Sequence, residues 1–147
     1  MTDKTHPAVE ANKRSIKYAM EGNKEAWLAL YAPDAVVHDP VGKSPMDPSG
    51  DGHRGKPAIE QFWDTTIGPA TLDIRVDKRW ISGDRCCCVA QVARTDLGEG
   101  KYTDVDMLCV YEVNEDGLLT RMSAHWDWDE LVRQLGQLDD REPESKN

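Results

Sequence analysis

The sequence predicts an α+β domain in which a curved, mostly antiparallel sheet wraps around helices from the first half of the chain. Two observations support this prediction. Apolar residues recur mainly at helical spacing before Pro69, and after it they alternate with polar residues, as in strands with one solvated face. Helices followed by a run of strands are typical of an α+β fold, in which one face of the sheet packs on the helices.

Three helices are predicted in the first half of the chain. The first begins with proline in its first turn and ends at Gly22, and Asn23 caps the second, which Pro33 terminates. The third opens at Pro57 and ends before Gly68. The predicted spans are residues 7–21, 24–31 and 57–66.

A short strand containing Val36 and Val37 precedes a loop over residues 40–55 that is dense in proline and glycine. Four antiparallel strands then follow, joined by tight turns at residues 83–84, 98–100 and 114–117. Asp129 is predicted to cap a short C-terminal helix. Residues 1–138 form a single domain in this interpretation, and residues 139–147 form a disordered, charged tail. The predicted strands cover residues 72–80, 85–95, 102–113 and 118–128.

Composition excludes several classes of function. The 147 residues carry a net charge of −9, so no basic face for nucleic acid is expected. The first residues lack the apolar core of a signal peptide and no apolar run is long enough to span a membrane, which predicts a cytoplasmic protein without a membrane partner. Three adjacent cysteines, Cys86, Cys87 and Cys88, and four scattered histidines predict neither a disulfide framework nor a metal site, and no cofactor is expected.

Asp39 is the candidate catalytic residue. It follows a β-branched strand and precedes Pro40, which biases it toward extended backbone and ends the ladder, so its side chain has a fixed direction at a strand end. A carboxylate that faces an apolar interior has a raised pKa, which suits a general base. We expect Tyr31, Trp63, Trp80 and Trp126 to line that interior.

The order of these elements, together with three segments, resembles a known family. The segments are Leu28 to Gly42, which includes Asp39-Pro40-Val41-Gly42, Gly55 to Trp63, and Asp116-Gly117 followed by Met122-Ser123-Ala124-His125-Trp126. They resemble the ketosteroid isomerase branch of the NTF2-like (SnoaL-like) superfamily, and especially its mycobacterial steroid isomerase-like members. The resemblance implies a cone-shaped fold.

In that family an aspartate before proline moves a proton on a 3-ketosteroid, and this role maps onto Asp39. The resemblance places the two groups that stabilise the enolate oxygen, a tyrosine and a protonated aspartate, on Ser15 and Cys109. Tyr18, one turn from Ser15, is a possible substitute donor, and Tyr31 is another. Met122 and Trp126 correspond to positions that wall the family's steroid site, and Trp63 corresponds to an aromatic hydroxyl that supports the tyrosine. We expect all three side chains to wall the pocket.

Ser15 and Cys109 differ from the family's tyrosine and aspartate, and this leaves three interpretations of the function. The first is an isomerase that acts on an apolar, steroid-like substrate. The second is a non-catalytic binding protein that keeps Asp39, and the third is a dehydratase, cyclase or epoxide hydrolase on the same scaffold. A homodimer is also predicted, through an apolar outer face of the strands that would include Val89, Leu108 and Val110.

Overall fold

The computed structural model describes residues 6–140, with side chains up to Leu138, and confirms the α+β architecture. No helix within these residues is long and apolar enough to cross a membrane. The helices are α1 (Pro7–Glu21), α2 (Lys24–Leu28), α3 (Lys56–Phe62), which continues as a π-helical turn (Trp63–Ile67), and α4 (Trp128–Asp140). The strands are β1 (Tyr31–His38), β2 (His53–Arg54), β3 (Thr71–Ser82), β4 (Cys86–Gly98), β5 (Lys101–Val113) and β6 (Leu119–His125).

The six strands form one curved sheet in the order β2-β1-β6-β5-β4-β3. The predicted four-strand meander is its larger part, and β1 joins β6 in parallel. Helix α1 contacts β3, β4 and β5, so it covers the concave face of the sheet. The His6 side chain ties the start of α1 to the rest of the fold through both ring nitrogens. Nδ1 accepts from the amide of Ala8, and Nε2 bonds the carbonyl oxygen of Gly83 at 3.0 Å.

The ends of the second helix and of the last strand lie before their predicted positions. The second helix ends at Leu28 rather than at Tyr31, since Tyr31 pairs with Leu119 and the Leu119 amide donates to the Leu30 carbonyl at 2.8 Å. The last strand ends at His125 rather than at residue 128. Asp127, rather than Asp129, accepts the hydrogen bond from the first turn of α4.

Helix α4 includes two residues that were predicted to belong to the C-terminal tail. Helix α4 extends through Asp140, so residues 139 and 140 are helical. Residues 141–147 lie outside the described part of the chain, and the prediction of disorder there is untested.

A bulge in β3 corrects the predicted position of Trp80. The register with β4 shifts between Val76 and Lys78, so residues beyond the bulge exchange faces. Trp80 is therefore 43% exposed, with the Lys78 ammonium 4.9 Å from its ring centroid. Arg79 points inward instead and donates from Nε to Asn12 Oδ1 at 2.8 Å.

The outer face of the sheet differs in one residue from the predicted dimer surface. Leu108 is 44% exposed, in agreement with its predicted position. Val89 is fully buried in the core instead, because it pairs with Cys109 on the concave face. The homodimer itself stays a prediction.

Helix α4 covers the part of β5 that β6 does not reach. Strand β6 pairs with β5 only from Leu108 onward. Before Leu108 the Gln134 side chain bonds the edge of β5 twice: its Oε1 accepts from the Asp104 amide at 2.8 Å and its Nε2 donates to the Asp104 carbonyl at 2.6 Å. One glutamine side chain thus satisfies both backbone groups of Asp104.

Candidate functional site

A cavity of about 270 Å³ lies between α1 and the concave face of the sheet. Its wall is mostly apolar, formed largely by aliphatic, methionine and tryptophan side chains, and α4 closes one side through Trp128 and Leu131. Concave, mostly apolar cavities with a few convergent polar groups are typical of small-molecule sites. The polar or titratable residues on the wall are Ser15, Asp39, Thr66, Gln91, Thr95, Thr103, Cys109 and Tyr111.

Asp39 follows the last residue of β1 and is held from two sides. The amide of Val41 donates to the carbonyl of Ala124 at 2.8 Å, which fastens the chain after Asp39 to β6. Trp126, just beyond the end of β6, donates from its indole Nε1 to Asp39 Oδ1 at 2.5 Å. The carboxylate is partly accessible, and the space onto which it opens is the cavity.

Burial raises the pKa of Asp39 from 3.8 to about 6, and the hydrogen bond from Trp126 partly opposes this change. Near neutral pH most of this carboxyl group is therefore ionised, yet its proton affinity is much higher than that of an exposed aspartate. A group with this pKa can accept a proton and return it within one reaction cycle.

A second polar cluster surrounds the hydroxyl of Tyr111. Trp27 donates from Nε1 to Ser15 Oγ at 3.2 Å. The Ser15 and Asn12 side chains in turn face the Tyr111 hydroxyl and partly offset the effect of burial on its pKa. Arg79, turned inward by the bulge, orients Asn12. The cluster therefore places polar side chains close to a hydroxyl group on the cavity wall.

The weak acids beside Asp39 all remain protonated near neutral pH. Burial raises the pKa of the Tyr111 hydroxyl and of the Cys109 thiol, and the nearby charge of Asp39 raises both further. The same two causes raise the pKa of Tyr31, together with its neighbour Tyr111. Tyr111 and Cys109 can thus each present a proton to a ligand in the cavity, although a thiol is a weak donor.

Five of the eight predicted site residues lie on the cavity wall: Ser15, Asp39, Cys109, Met122 and Trp126. Strand β5 has no bulge between Asp104 and Cys109, because its register with β4 is continuous there. Asp106, three residues away, is accordingly exposed on the opposite face.

Tyr18, Tyr31 and Trp63 do not lie on the cavity wall. Trp63 packs behind Trp27 with ring centroids 5.1 Å apart, so Trp27 occupies the wall in its place. Tyr31 packs on the other side of Trp27 at 4.9 Å, and its buried hydroxyl has no hydrogen-bond partner within residues 6–140. Tyr18 is only partly buried at the edge of the core.

Sequence reasoning missed Tyr111, Gln91 and Trp27 as cavity residues. For Tyr111 a signal was present, because it is two residues from Cys109 on the same strand and period-two alternation places both on the concave face. Gln91 was missed because alternation from Val89, which the sequence analysis placed on the outer face, puts Gln91 there as well. Trp27 gave no such signal, because its position depends on how closely α2 approaches α1.

Comparison with known proteins decides the family. The model of the SnoaL-like domain matches residues 13–122, about three quarters of the chain. The chain belongs to the SnoaL-like family. A steroid Δ-isomerase from Nocardioides simplex is 33% identical to it over 105 residues, which cover 71% of this chain and 77% of that enzyme.

Solved structures of other proteins support the same assignment of this SnoaL-like protein. The Δ5-3-ketosteroid isomerase from a Mycobacterium species superposes with a TM-score of 0.80 and 34% identity, covering 86% of this chain and 97% of that one. A Mycobacterium tuberculosis protein solved with estradiol-17β-hemisuccinate has a TM-score of 0.80 and 32% identity, covering 86% of this chain and 98% of that one. These neighbours share the predicted cone-shaped fold.

Proposed function

We propose that this SnoaL-like protein is an isomerase of the ketosteroid Δ-isomerase type, which moves a proton next to a carbonyl group on a steroid-like substrate. The observation that carries the proposal is Asp39: a carboxylate with a pKa of about 6, fixed by Trp126, on the wall of an apolar cavity. The steroid Δ-isomerase and the estradiol derivative in the comparisons support a steroid-like ligand.

In this proposal Asp39 removes a proton from the carbon next to the substrate carbonyl and returns it two carbons further along the dienolate. A single carboxylate serves both steps because its protonated and ionised forms are close in free energy near neutral pH. The apolar wall keeps water away from the dienolate, and the hydrogen bond from Trp126 holds one carboxylate oxygen so that the other faces the substrate.

The negative charge that develops on the substrate oxygen requires a donor, and we assign this role to the Tyr111 hydroxyl. It is protonated, lines the cavity and lies close to the side chains of Ser15 and Asn12. Ser15 occupies the position of the family's tyrosine, but it accepts from Trp27 and supports Tyr111 instead. The Cys109 thiol is a second, weaker donor on the same strand.

The decisive experiment compares wild type with Asp39→Asn on a 3-keto-5-ene steroid, following the absorbance of the conjugated enone product. Asparagine preserves the shape and can still accept the bond from Trp126, but it cannot take up a proton. We expect the rate to fall by several orders of magnitude while steroid affinity, measured by tryptophan fluorescence, changes little.

Two other outcomes would change the assignment. Equal rates for wild type and Asp39→Asn, with steroid binding intact, would contradict the isomerase and favour a non-catalytic binding protein. An inactive wild type whose Asp39 still titrates near pH 6 would indicate another reaction on this scaffold, such as dehydration, cyclisation or epoxide hydrolysis.

A further inference from the structure

Gln91 is a buried polar side chain on a wall that is otherwise apolar around it. It is 5% exposed and lines the cavity from β4. The residue pairs before and after it on the concave face of the sheet are Val89 with Cys109 and Ala93 with Val105. Gln91 therefore interrupts an apolar surface at one position along the cavity.

The carboxamide of Gln91 is incompletely paired. Its Oε1 receives no hydrogen bond from residues 6–140, and its Nε2 reaches only the sulfur of Met107, at 3.5 Å. A thioether is a weak acceptor. Leaving a buried amide oxygen unpaired is unfavourable, whereas an aliphatic side chain at this position would have no such requirement. An arrangement of this kind is completed when a ligand group donates to Oε1.

The position of Gln91 along the strand indicates which part of a ligand it meets. Val89 faces Cys109 at the end of the cavity that contains Asp39. Gln91 is two residues further along β4, about 7 Å away at the rise of an antiparallel strand. When a substrate carbonyl lies near Tyr111 and Cys109, the middle of a four-ring ligand lies beside Gln91 and its far end lies nearer Thr95 and Thr103.

We propose that Gln91 selects steroid-like ligands that carry a hydroxyl group on the middle rings, which donates its proton to Gln91 Oε1. The preferred substrate class is thus a hydroxylated ketosteroid rather than a plain one. This inference rests on the proposed function for the ligand class and for the orientation of the carbonyl, and it does not require that catalysis occurs.

The test measures the binding of three steroids by tryptophan fluorescence and calorimetry. They are androstenedione and the two epimers of its derivative with a hydroxyl at C11. We expect wild type to bind one hydroxylated epimer about tenfold to hundredfold more tightly than the parent, since the hydroxyl pairs a buried acceptor. Gln91→Met, which keeps the length of the side chain and removes the amide, should abolish this preference. Thr103→Val, a polar-to-apolar change further along the wall, should keep it.

Gln91→Leu provides a second variant, and its thermal unfolding is an independent measure. Removing an unpaired amide should raise the melting temperature of the free protein. Equal affinity of wild type for all three steroids, or the same preference in Gln91→Met, would overturn the proposal while leaving the isomerase assignment intact. Failure of every steroid to bind wild type would overturn both, whereas binding with the expected preference but without turnover would overturn only the isomerase.

Discussion

The two parts of the cavity wall differ in how their polar groups are oriented. At one end, protein side chains contact the titratable groups: Trp126 donates to Asp39, and Ser15 and Asn12 face Tyr111. Further along the wall, Gln91 has an oxygen without a partner. The first arrangement suits chemistry, because groups that are already oriented need no rearrangement during the reaction. The second suits recognition, because a ligand must complete it.

The largest effect expected at the oriented end, after that of Asp39→Asn, is that of Tyr111→Phe. If Tyr111 donates to the substrate oxygen, its loss should lower kcat about 10²- to 10³-fold, the usual effect of removing one such donor. Tyr31→Phe is the matched control, because its hydroxyl is buried outside the cavity, and it should retain most of the rate. Similar losses in both variants would indicate a packing effect rather than donation.

Cys109→Asp should sharpen the same comparison by adding a donor. An aspartic acid held neutral in an apolar site donates more strongly than a thiol, and the nearby charge of Asp39 disfavours its ionisation. We expect a rate increase of about tenfold or more near neutral pH. The control is Cys109→Ala, and if its rate equals that of Cys109→Asp, the substrate oxygen does not lie near residue 109.

Trp126→Phe tests the orientation of Asp39 through pH dependence. The base must be ionised, so the rate should rise with pH through a midpoint near the Asp39 pKa of about 6. Loss of the indole donor removes a contribution that lowers this pKa, so the midpoint should move to higher pH. The control is Trp128→Phe, which removes a neighbouring indole whose ring centroid is 5.8 Å from that of Trp126 and which does not bond Asp39. The midpoint of the pH profile should not move in this variant.

The smallest expected effect concerns stability. The folded-state pKa of Asp39 is raised, so the folded chain retains this proton between about pH 4 and pH 6 and loses stability as the pH rises through that window. The loss is about 3 kcal/mol by pH 7. Urea unfolding measures the free energy of unfolding at about pH 4 and pH 7.5. Its decrease between these pH values should be smaller in Asp39→Asn than in wild type, and an equal decrease would mean that ionisation of Asp39 does not destabilise the folded chain.

Local sequence signals predicted much of the fold. Pro7 and Gly22 bounded α1 correctly, and alternation after Pro69 predicted the four-strand meander. Trp80 was misplaced because the bulge after Val76 depends on strand pairing, which alternation alone does not reveal. The same bulge turned Arg79 toward Asn12, so one irregularity changed both faces of the sheet.

Site residues were predictable where a motif fixes the backbone. They were much less predictable where packing between helices determines which side chain reaches the cavity. Asp39 followed from its place between a strand and Pro40, and the resemblance gave Ser15, Cys109, Met122 and Trp126. Trp63 and Trp27 are equally large and apolar in sequence, and only the approach of α2 to α1 determines which of the two reaches the cavity.

The glutamine that bonds the edge of β5 also links ligand exchange to exposure of backbone. Helix α4 covers the cavity with Trp128 and Leu131, and three residues later Gln134 bonds both backbone groups of Asp104. An outward movement of α4 that admits a large ligand therefore breaks those two bonds and leaves a strand edge unpaired. Such an edge can pair with other chains, so any opening of α4 would expose the protein to aggregation for as long as it lasted.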